Sequence, residues 1–553
     1  MSAEISRRSL LRAAGLAAGA VAIPSALGAC GDGAKSGVGN AGAQLAPWPT
    51  YKPAKIPAPD LAGNASGLQH GYTKYPANLG TATSGVPGDG SKVRAVVITY
   101  GTPPAPKETN KFLQAINAAL GINLELTVIP DADYQAKMAT LMAGDDLPDL
   151  INFGGGYVLP REAEFVASKF ADLSEHLSGD AVLAYPNLAS IPGYAWKGMG
   201  RIKGRIMGVP VERPATGSLL YVNRQLWQGA GLADKAVSDG WTKAEFFAGA
   251  KALSKDRRYA LGASKAGFFG FQVHCGAFGA PNLWKVENGA FTPTYATEEF
   301  KQALLFMRDL QSAGAYYPDA MTVSQVDAKT QFAGQTTASI TDGFGAYQTL
   351  IPAAKGAYDV VPALPYQGGA SGAKQWASRG IFGYTVIKKA PAERVKMLLR
   401  VLDFLSASFG TKEYELLHHG VEGTHFTRNS SGAPVQTETW TGGENRVNLP
   451  VGYLGDAPAV LYYAGVTPAQ ITAMHSFERK TEAGLVYNPA FGLTSDAASR
   501  SEAGIKKAIT DALVAFVSGR STVSDWDNAV KKYLADGGSK MAEEYAKEYA
   551  AAN

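Results

Sequence analysis

Few residues in this chain are spaced for covalent or metal chemistry. Two cysteines occur in 553 residues. Cys275 lies in Val273-His274-Cys275-Gly276-Ala277-Phe278, among small and apolar neighbours, and reads as a buried thiol acting as a small hydrophobe. Cys30 lies in Leu27-Gly28-Ala29-Cys30-Gly31-Asp32-Gly33. It could be half of a disulfide, a metal ligand, a reactive thiol or an attachment point. A disulfide to Cys275 would require a flexible terminus to reach a buried site, and two cysteines without CxxC spacing exclude a thiolate zinc site. No GxSxG is present. Ser371-Gly372-Ala373-Lys374 matches SxxK, but it sits in a Gly/Ala loop without an SDN or KTG partner, a chance match. The seven histidines contain no HExxH. His418-His419 closes a helix, where a cation suits the helix dipole. Glycoside hydrolysis needs two carboxylates a few ångströms apart. Asp145-Asp146 beside Pro148 reads instead as a solvated loop entering a strand.

Attachment therefore leads for Cys30, and its surroundings agree. Ser6-Arg7-Arg8-Ser9-Leu10-Leu11-Arg12 is a twin-arginine pattern, and residues 13–27 form a short, mildly apolar stretch suited to an export signal. Leu27-Gly28-Ala29-Cys30 resembles a lipoprotein box, so residues 1–29 are expected to be a signal peptide and Cys30 the lipidated first residue of the mature chain. Each buried acyl CH₂ is worth about 0.8 kcal/mol, so two or three chains anchor firmly. Residues 30–91 are rich in Gly, Ala, Pro and Ser and read as a tether. Trp48, Tyr51, Tyr72 and Tyr75 suggest that its later half lies against the body. Gly37-Val38-Gly39-Asn40-Ala41-Gly42 matches GxGxxG, but no strand precedes it and no helix follows, so it is not a nucleotide loop. The chain is expected outside the cytoplasm, anchored to the membrane.

The elements that must position a site begin after this tether. Residues 93–99 read as a strand. Residues 107–120 carry Phe112, Ile116 and Leu120 at helical spacing before Gly121. Ile122, Leu124, Leu126 and Val128 alternate as a strand does. Residues 131–143 form a second helix, with Tyr134, Met138 and Leu141 on one face, and residues 149–153 a strand running into three glycines. Strand–helix–strand–helix–strand implies a parallel sheet, with ligands at the strands' C-terminal ends. Asn152 there is placed either to offer its amide to a neutral polar ligand or to serve as a turn residue. The length implies two or more domains. Net charge is +4, falling to +2 without the Arg7, Arg8, Arg12 and Glu4 of the signal. That is no footprint for nucleic acid.

Several segments together resemble the family 1 extracellular solute-binding proteins of ABC importers. They are "DADYQAKMATLMAGDDLPDLINFGG" (131–155), "VPVERPATGSLLYVNRQLWQGAGL" (209–232), "FGAPNLWKVENGAF" (278–291) with "EFKQALLFMRDLQSAGAYYPD" (299–319), "LLRVLDFLSASFGTKEYELLHHGVEGTHFTRN" (398–429) and the C-terminal 509–550. The last two match the larger branch that includes lipoprotein-type and alginate-binding members. The resemblance implies an α/β chain with the two-lobe periplasmic-binding-protein type II fold, its discontinuous lobes joined by a hinge that closes on the ligand. The division it suggests is 92–213 plus 343–400 for the first lobe and 214–342 plus 401–553 for the second. It implies a monomer that does no chemistry, needs no cofactor, takes a sugar or oligosaccharide, and presents it to ABC permease subunits. Alginate-type relatives carry an acidic calcium loop. The matching residues 253–261 hold one carboxylate and three cations, whereas Ca²⁺ wants six to eight oxygens, so no calcium is expected there and no metal ligand is assigned.

Sugar sites use aromatic faces with amides and carboxylates. On the implied fold, Trp284 lies in a loop near the cleft. Asp342 and Tyr347 follow a strand where the chain should cross back to the first lobe. Trp376, Arg379 and Tyr384 occupy another glycine-containing loop. Arg224, at the end of the strand entering the second lobe, is open to two roles, ligand contact or a lobe-edge ion pair. Glu422-Gly423-Thr424-His425-Phe426 reads as a structural turn. The alternatives are an anchored enzyme acting on glycans, a receptor for a non-sugar polar solute, and a sensor or adhesion module built on the same lobes.

Overall fold

The computed structural model describes residues 37–552 apart from 155, 158, 233–234, 266–269 and 319. The expected signal peptide and the lipidation site Cys30 lie outside the described residues. No described helix is long and apolar enough to cross a membrane.

Two sheets organise the chain. The first uses β1 (Lys92–Thr99), β2 (Asn123–Pro130), β3 (Leu150–Gly154) and β4 (Val209–Glu212), and the second β5 (Ser218–Asn223), β6 (Ser339–Gly343) and β7 (Val360–Ala363). A returning strand, β8 (Ile381–Ile387), joins the first sheet, whose order is β2-β1-β3-β8-β4. The three N-terminal strands are parallel, as their helical crossovers require, with Val96 opposite Thr127 and Ile151. β8 runs antiparallel between β3 and β4. The second sheet has β5 at its centre with both neighbours antiparallel.

Local sequence explains the crossovers. The helix Lys111–Leu120 starts where the Asn110 side chain accepts from the Leu113 N–H at 2.9 Å, and ends at Gly121, whose φ of 61° suits a residue without Cβ. Phe112, Ile116 and Leu120 are fully buried, worth roughly 1.5–3 kcal/mol apiece. The helix Asp131–Ala143 buries Tyr134 and Met138, and Leu141 packs partly buried against the same core.

The lobes are divided differently from the sequence-based expectation. The first core combines residues between 93 and 209 with others between 381 and 454, including Leu402, Leu417 and Trp440. The second lobe takes Phe344, Tyr347, Leu350 and Val360 around β5, together with Ile471 and Phe477, and the C-terminal Ile505, Phe516, Trp526 and Tyr545. The chain thus stays in the second lobe until about residue 376 rather than leaving it at 343, and residues 401–454 belong with the first lobe. The physical reason is coverage. β7 and the helix Tyr347–Ala353 close the side of β5 that carries Tyr221, while the helix Ala392–Leu405 is buried along most of its length under the first sheet.

Residues 37–91 are no loose tether. Val38, Ala46, Leu68, Tyr72 and Tyr75 are buried. The segment hydrogen-bonds to the first lobe through Ala46 N–H to the Gly204 carbonyl (2.8 Å) and to the second through Tyr72 N–H to the Leu461 carbonyl (2.9 Å). Asn40 joins the two. Its N–H and side-chain amide donate to Glu548 (2.8 and 3.0 Å), and its carbonyl oxygen Oδ1 accepts from Gly204 N–H (2.8 Å). Its prolines bring no N–H that needs a partner, which lets it lie on the surface as a strap.

Candidate ligand-binding cleft

Where the chain passes between lobes, its strands pair. Arg213 N–H donates to the Gly380 carbonyl (3.0 Å), Ser378 N–H to Ala215 (2.7 Å) and Gly217 N–H to Trp376 (3.1 Å). Glu212, at the end of β4, is buried and accepts from Ala459 N–H at 2.8 Å and from the Tyr194 hydroxyl, tying in a third crossing segment. Burial raises its carboxyl to about 6, against these hydrogen bonds. This paired bundle is the hinge, and a cavity of about 340 Å³ opens beside it.

The second lobe contributes Gly345, Tyr347, Gln348, Thr349 and Tyr463 to that cavity, and the first Trp440, Arg446 and Tyr453. At its polar end Asp456 accepts from Arg446 Nη2 at 2.8 Å, faces Arg213 Nη1 at 3.7 Å and His418 Nε2 at 3.2 Å, and accepts from Ala457 N–H at 3.1 Å. Burial acts to raise the Asp456 carboxyl, but the Arg446 charge, His418 and Arg213 outweigh it and hold it well below the carboxylate range. His418 is pulled down to about 4 by burial and by Arg446, and His419 to about 3 by burial and its histidine neighbour. His419 has no hydrogen-bond partner on either ring nitrogen among the described residues, whereas His418 faces an acceptor with each, Asp456 at Nε2 and the Tyr414 carbonyl at Nδ1 (3.0 Å).

Tyr453, a lining residue, carries an aromatic stack whose second ring is not itself part of the lining. Phe382 lies on Tyr453 with centroids 4.1 Å apart and planes at 15°, and the Arg213 guanidinium sits 5.3 Å from the Phe382 centroid. Tyr100, about half exposed, meets Phe382 edge-on at 6.4 Å. A bulge aims Phe382 here. Register along β8 shifts between Ile381 and Gly383, so Phe382 shares the face of Gly154, where an added Cβ would meet its ring at 2.7 Å. Tyr384 falls on the opposite face, stacked on Phe153 at 5.7 Å.

Of the residues proposed from sequence, Tyr347 lines this cavity, and Asn152 lies near the stack without lining it. Tyr347 is buried, with a hydroxyl near the Gln348 side chain that makes no hydrogen bond of ordinary geometry. Asn152 lies beneath the stack, fully buried. Its Nδ2 donates to Thr385 Oγ1 (3.4 Å), which donates in turn to the Tyr453 carbonyl (3.4 Å), and its Oδ1 has no partner among the described residues. It supports the floor.

The others are placed elsewhere. Trp284 is buried against Phe291 and Tyr545, in the second core rather than the cleft. Trp376 is buried too, donating Nε1–H to the Ala280 carbonyl at 2.8 Å. Asp342 accepts from Gln325 at 2.9 Å and pairs with Lys329 at 3.2 Å, an ion pair within the second lobe. Arg224 begins the helix Arg224–Gly229, its N–H bound to the Asp359 carbonyl at 2.9 Å, away from the cavity lining. Arg379 and Tyr384 line a smaller cavity of about 110 Å³ with Glu162. There the Tyr384 hydroxyl donates to Glu162 at 2.7 Å, and Arg379 donates to the carbonyls of Gly198 (2.7 Å) and Met199 (3.4 Å). Cys275 is buried and unpaired, its thiol pushed up by burial. His425 is fully buried within the Glu422–Phe426 turn and accepts from Val421 N–H at 3.0 Å.

Sequence reasoning missed Arg213, Phe382, Arg446, Tyr453 and Asp456. One signal was available. Residues 440–463 gather Trp440, Arg446, Tyr453, Asp456, Tyr462 and Tyr463 among Gly, Pro and Asn, between two helices.

The geometry suits holding a solute rather than transforming it. Among the described lining residues Asp456 is the single carboxylate, and its ion pair leaves no protonated acid for glycosidic cleavage. Two lobes, a paired hinge and an aromatic–cationic cleft define a solute receptor, and sequence comparison agrees. The chain belongs to the bacterial extracellular solute-binding protein family, whose model matches residues 111–400, just over half of it. It is 24% identical over 484 residues to YtcQ, the polygalacturonan/rhamnogalacturonan-binding protein of Bacillus subtilis, covering 84% of this chain and 93% of that one. It is 24% identical to the lipoprotein LipO of the same organism, over 81% of this chain and 90% of LipO. An HMO-binding, ABC-transporter-associated solute-binding protein from Bifidobacterium longum infantis shares the fold, with a TM-score of 0.61 at 14% identity over 84% of this chain and 99% of that one.

Proposed function

We propose that this protein is the extracytoplasmic receptor of an ABC importer and captures a carbohydrate or oligosaccharide between its lobes. The observation that carries the reading is the Phe382–Tyr453 stack with Arg213 beside it, joined through Tyr453 and Arg213 to the lining of a hinge-side cavity. Flat rings take the C–H faces of pyranoses, and guanidinium and carboxylate groups take their hydroxyls. The carbohydrate ligands named for the relatives point the same way. Closure brings Gly345–Thr349 of the second lobe onto a sugar seated on the stack, and the closed form is what the permease subunits receive.

Cys30 carries the lipid anchor in this reading, after twin-arginine export. Cys30→Ala is expected to release the protein from membranes, and Arg7→Lys/Arg8→Lys to hold it in the cytoplasm; cell fractionation checks both. The ligand is tested by thermal shift of the mature protein against mono- and oligosaccharides. A ligand at a hundred times Kd stabilises by about 2.7 kcal/mol and is recovered intact. Turnover of the glycan would contradict the reading, and stabilisation only by a non-sugar solute would redirect it.

A further inference from the structure

The donor inventory of the cleft goes further than a generic sugar. Arg213 spends Nη1 on the Glu212 carbonyl (2.7 Å) and on its contact with Asp456. Its Nε and Nη2 have no partner among the described residues and are not buried from solvent. These two N–H groups point the same way and form the fork that matches the two oxygens of a carboxylate. Arg446 likewise gives Nη2 to Asp456, and its remaining nitrogens are unpartnered and accessible. Both side chains stay about a third exposed, at 33% and 31%.

Charge points the same way. The lining holds two guanidiniums against one carboxylate. Asp456 is already engaged on both oxygens, by His418 and Ala457 N–H on one and by the two arginines on the other. Asp131, the carboxylate near Tyr100, is not part of the lining and accepts from the Tyr157 hydroxyl at 2.6 Å. The lining itself therefore carries more cation than anion, with Glu212 buried behind Arg213 and Asp131 near the Tyr453 ring outside it. The hydroxyls of a neutral sugar can accept from the fork, but only an anionic group also answers its charge.

We infer that the ligand is an acidic sugar, an oligosaccharide bearing uronic-acid carboxylates, with one ring on the Phe382–Tyr453 stack and its carboxylate on the Arg213 fork, backed by Arg446. The inference rests on the carbohydrate reading above and adds the charge.

The test uses the mature wild-type protein and titration calorimetry with three uronic-acid tetrasaccharides (α-1,4-galacturonate, β-1,4-mannuronate and a β-linked glucuronate), each also as its methyl ester, together with neutral tetrasaccharides. One of the acids is expected to bind at least tenfold more tightly than its ester, with affinity falling as salt rises. Arg213→Gln is expected to weaken that acid about 10- to 100-fold and to shrink its preference over the ester. Arg213→Lys keeps the charge without the fork and is expected to fall between. Circular dichroism and melting of both variants exclude misfolding, and the acid–ester comparison needs no variant. Equal or tighter binding of a neutral glycan overturns the acidic assignment and leaves the carbohydrate reading standing. Failure of every glycan, acidic or neutral, overturns both.

Discussion

Arg213 and Arg379 present the same chemical parts and use them in opposite ways. Each lies near a ring pair built from β8, Phe382 on Tyr453 or Tyr384 on Phe153, and near a carboxylate, Asp456 or Glu162. Arg379 gives Nε and Nη2 to backbone carbonyls of the first lobe, and Tyr384 gives its hydroxyl to Glu162. Arg213 leaves that same pair of nitrogens unpartnered. The carboxylates differ as well. Burial raises Glu162 despite the Tyr384 hydrogen bond and the Arg379 charge, whereas Arg446 holds Asp456 low against its burial. Residue type does not separate a binding arginine from a bracing one; the account of its donors does.

The largest effect that could break this contrast is at Asp456. Asp456→Asn strips two arginines of their shared anion and is expected to cost about 1.5–3 kcal/mol at pH 7, measured by chemical unfolding; a cost below about 0.5 kcal/mol would mean that the arginines are held otherwise. Next comes Phe382→Ala, which removes the platform. Its ligand affinity is expected to drop at least tenfold, read by calorimetry, whereas Tyr384→Phe leaves affinity unchanged. Arg379→Ala is expected to lower stability by about 1–2 kcal/mol through two lost charge-assisted hydrogen bonds, with affinity intact; weakened binding would move the smaller cavity into the ligand site. The smallest effect is Glu162→Gln. A carboxyl raised in the folded state binds more protons there than when unfolded, so its contribution to stability is present below its ordinary range and is lost as pH rises through its folded value. The glutamine variant should therefore gain on wild type from pH 4 to 8 in pH-resolved melting, and a gap that shrinks with pH would reverse the assignment.

Much of the fold was legible. The alternation at 122–128 and the stripe at Phe112, Ile116 and Leu120 produced β2 and the first crossover helix, because burial on one face is a local property of sequence. Asp131–Ala143 was bounded as observed. Lobe membership was not legible beyond about residue 343, since it depends on which sheet a helix covers, a long-range matter. Glycines at 343 and 345 looked like a crossing point, whereas they pass a strand into a short turn within one lobe. The site was hardest. Phe382 and Tyr384, two apart, should share a strand face, and the bulge separates them. Arg213 stood in the crossing segment quoted for its family resemblance, and its meaning came from which of its nitrogens are engaged.

The central claim is that solute is held on the Phe382–Tyr453 stack beside Arg213. Titration calorimetry of wild type, Phe382→Ala and Arg379→Ala with the oligosaccharide that most stabilises the wild type tests it directly. The account predicts saturable one-to-one binding that Phe382→Ala removes and Arg379→Ala keeps. Binding that survives Phe382→Ala and fails in Arg379→Ala would contradict it.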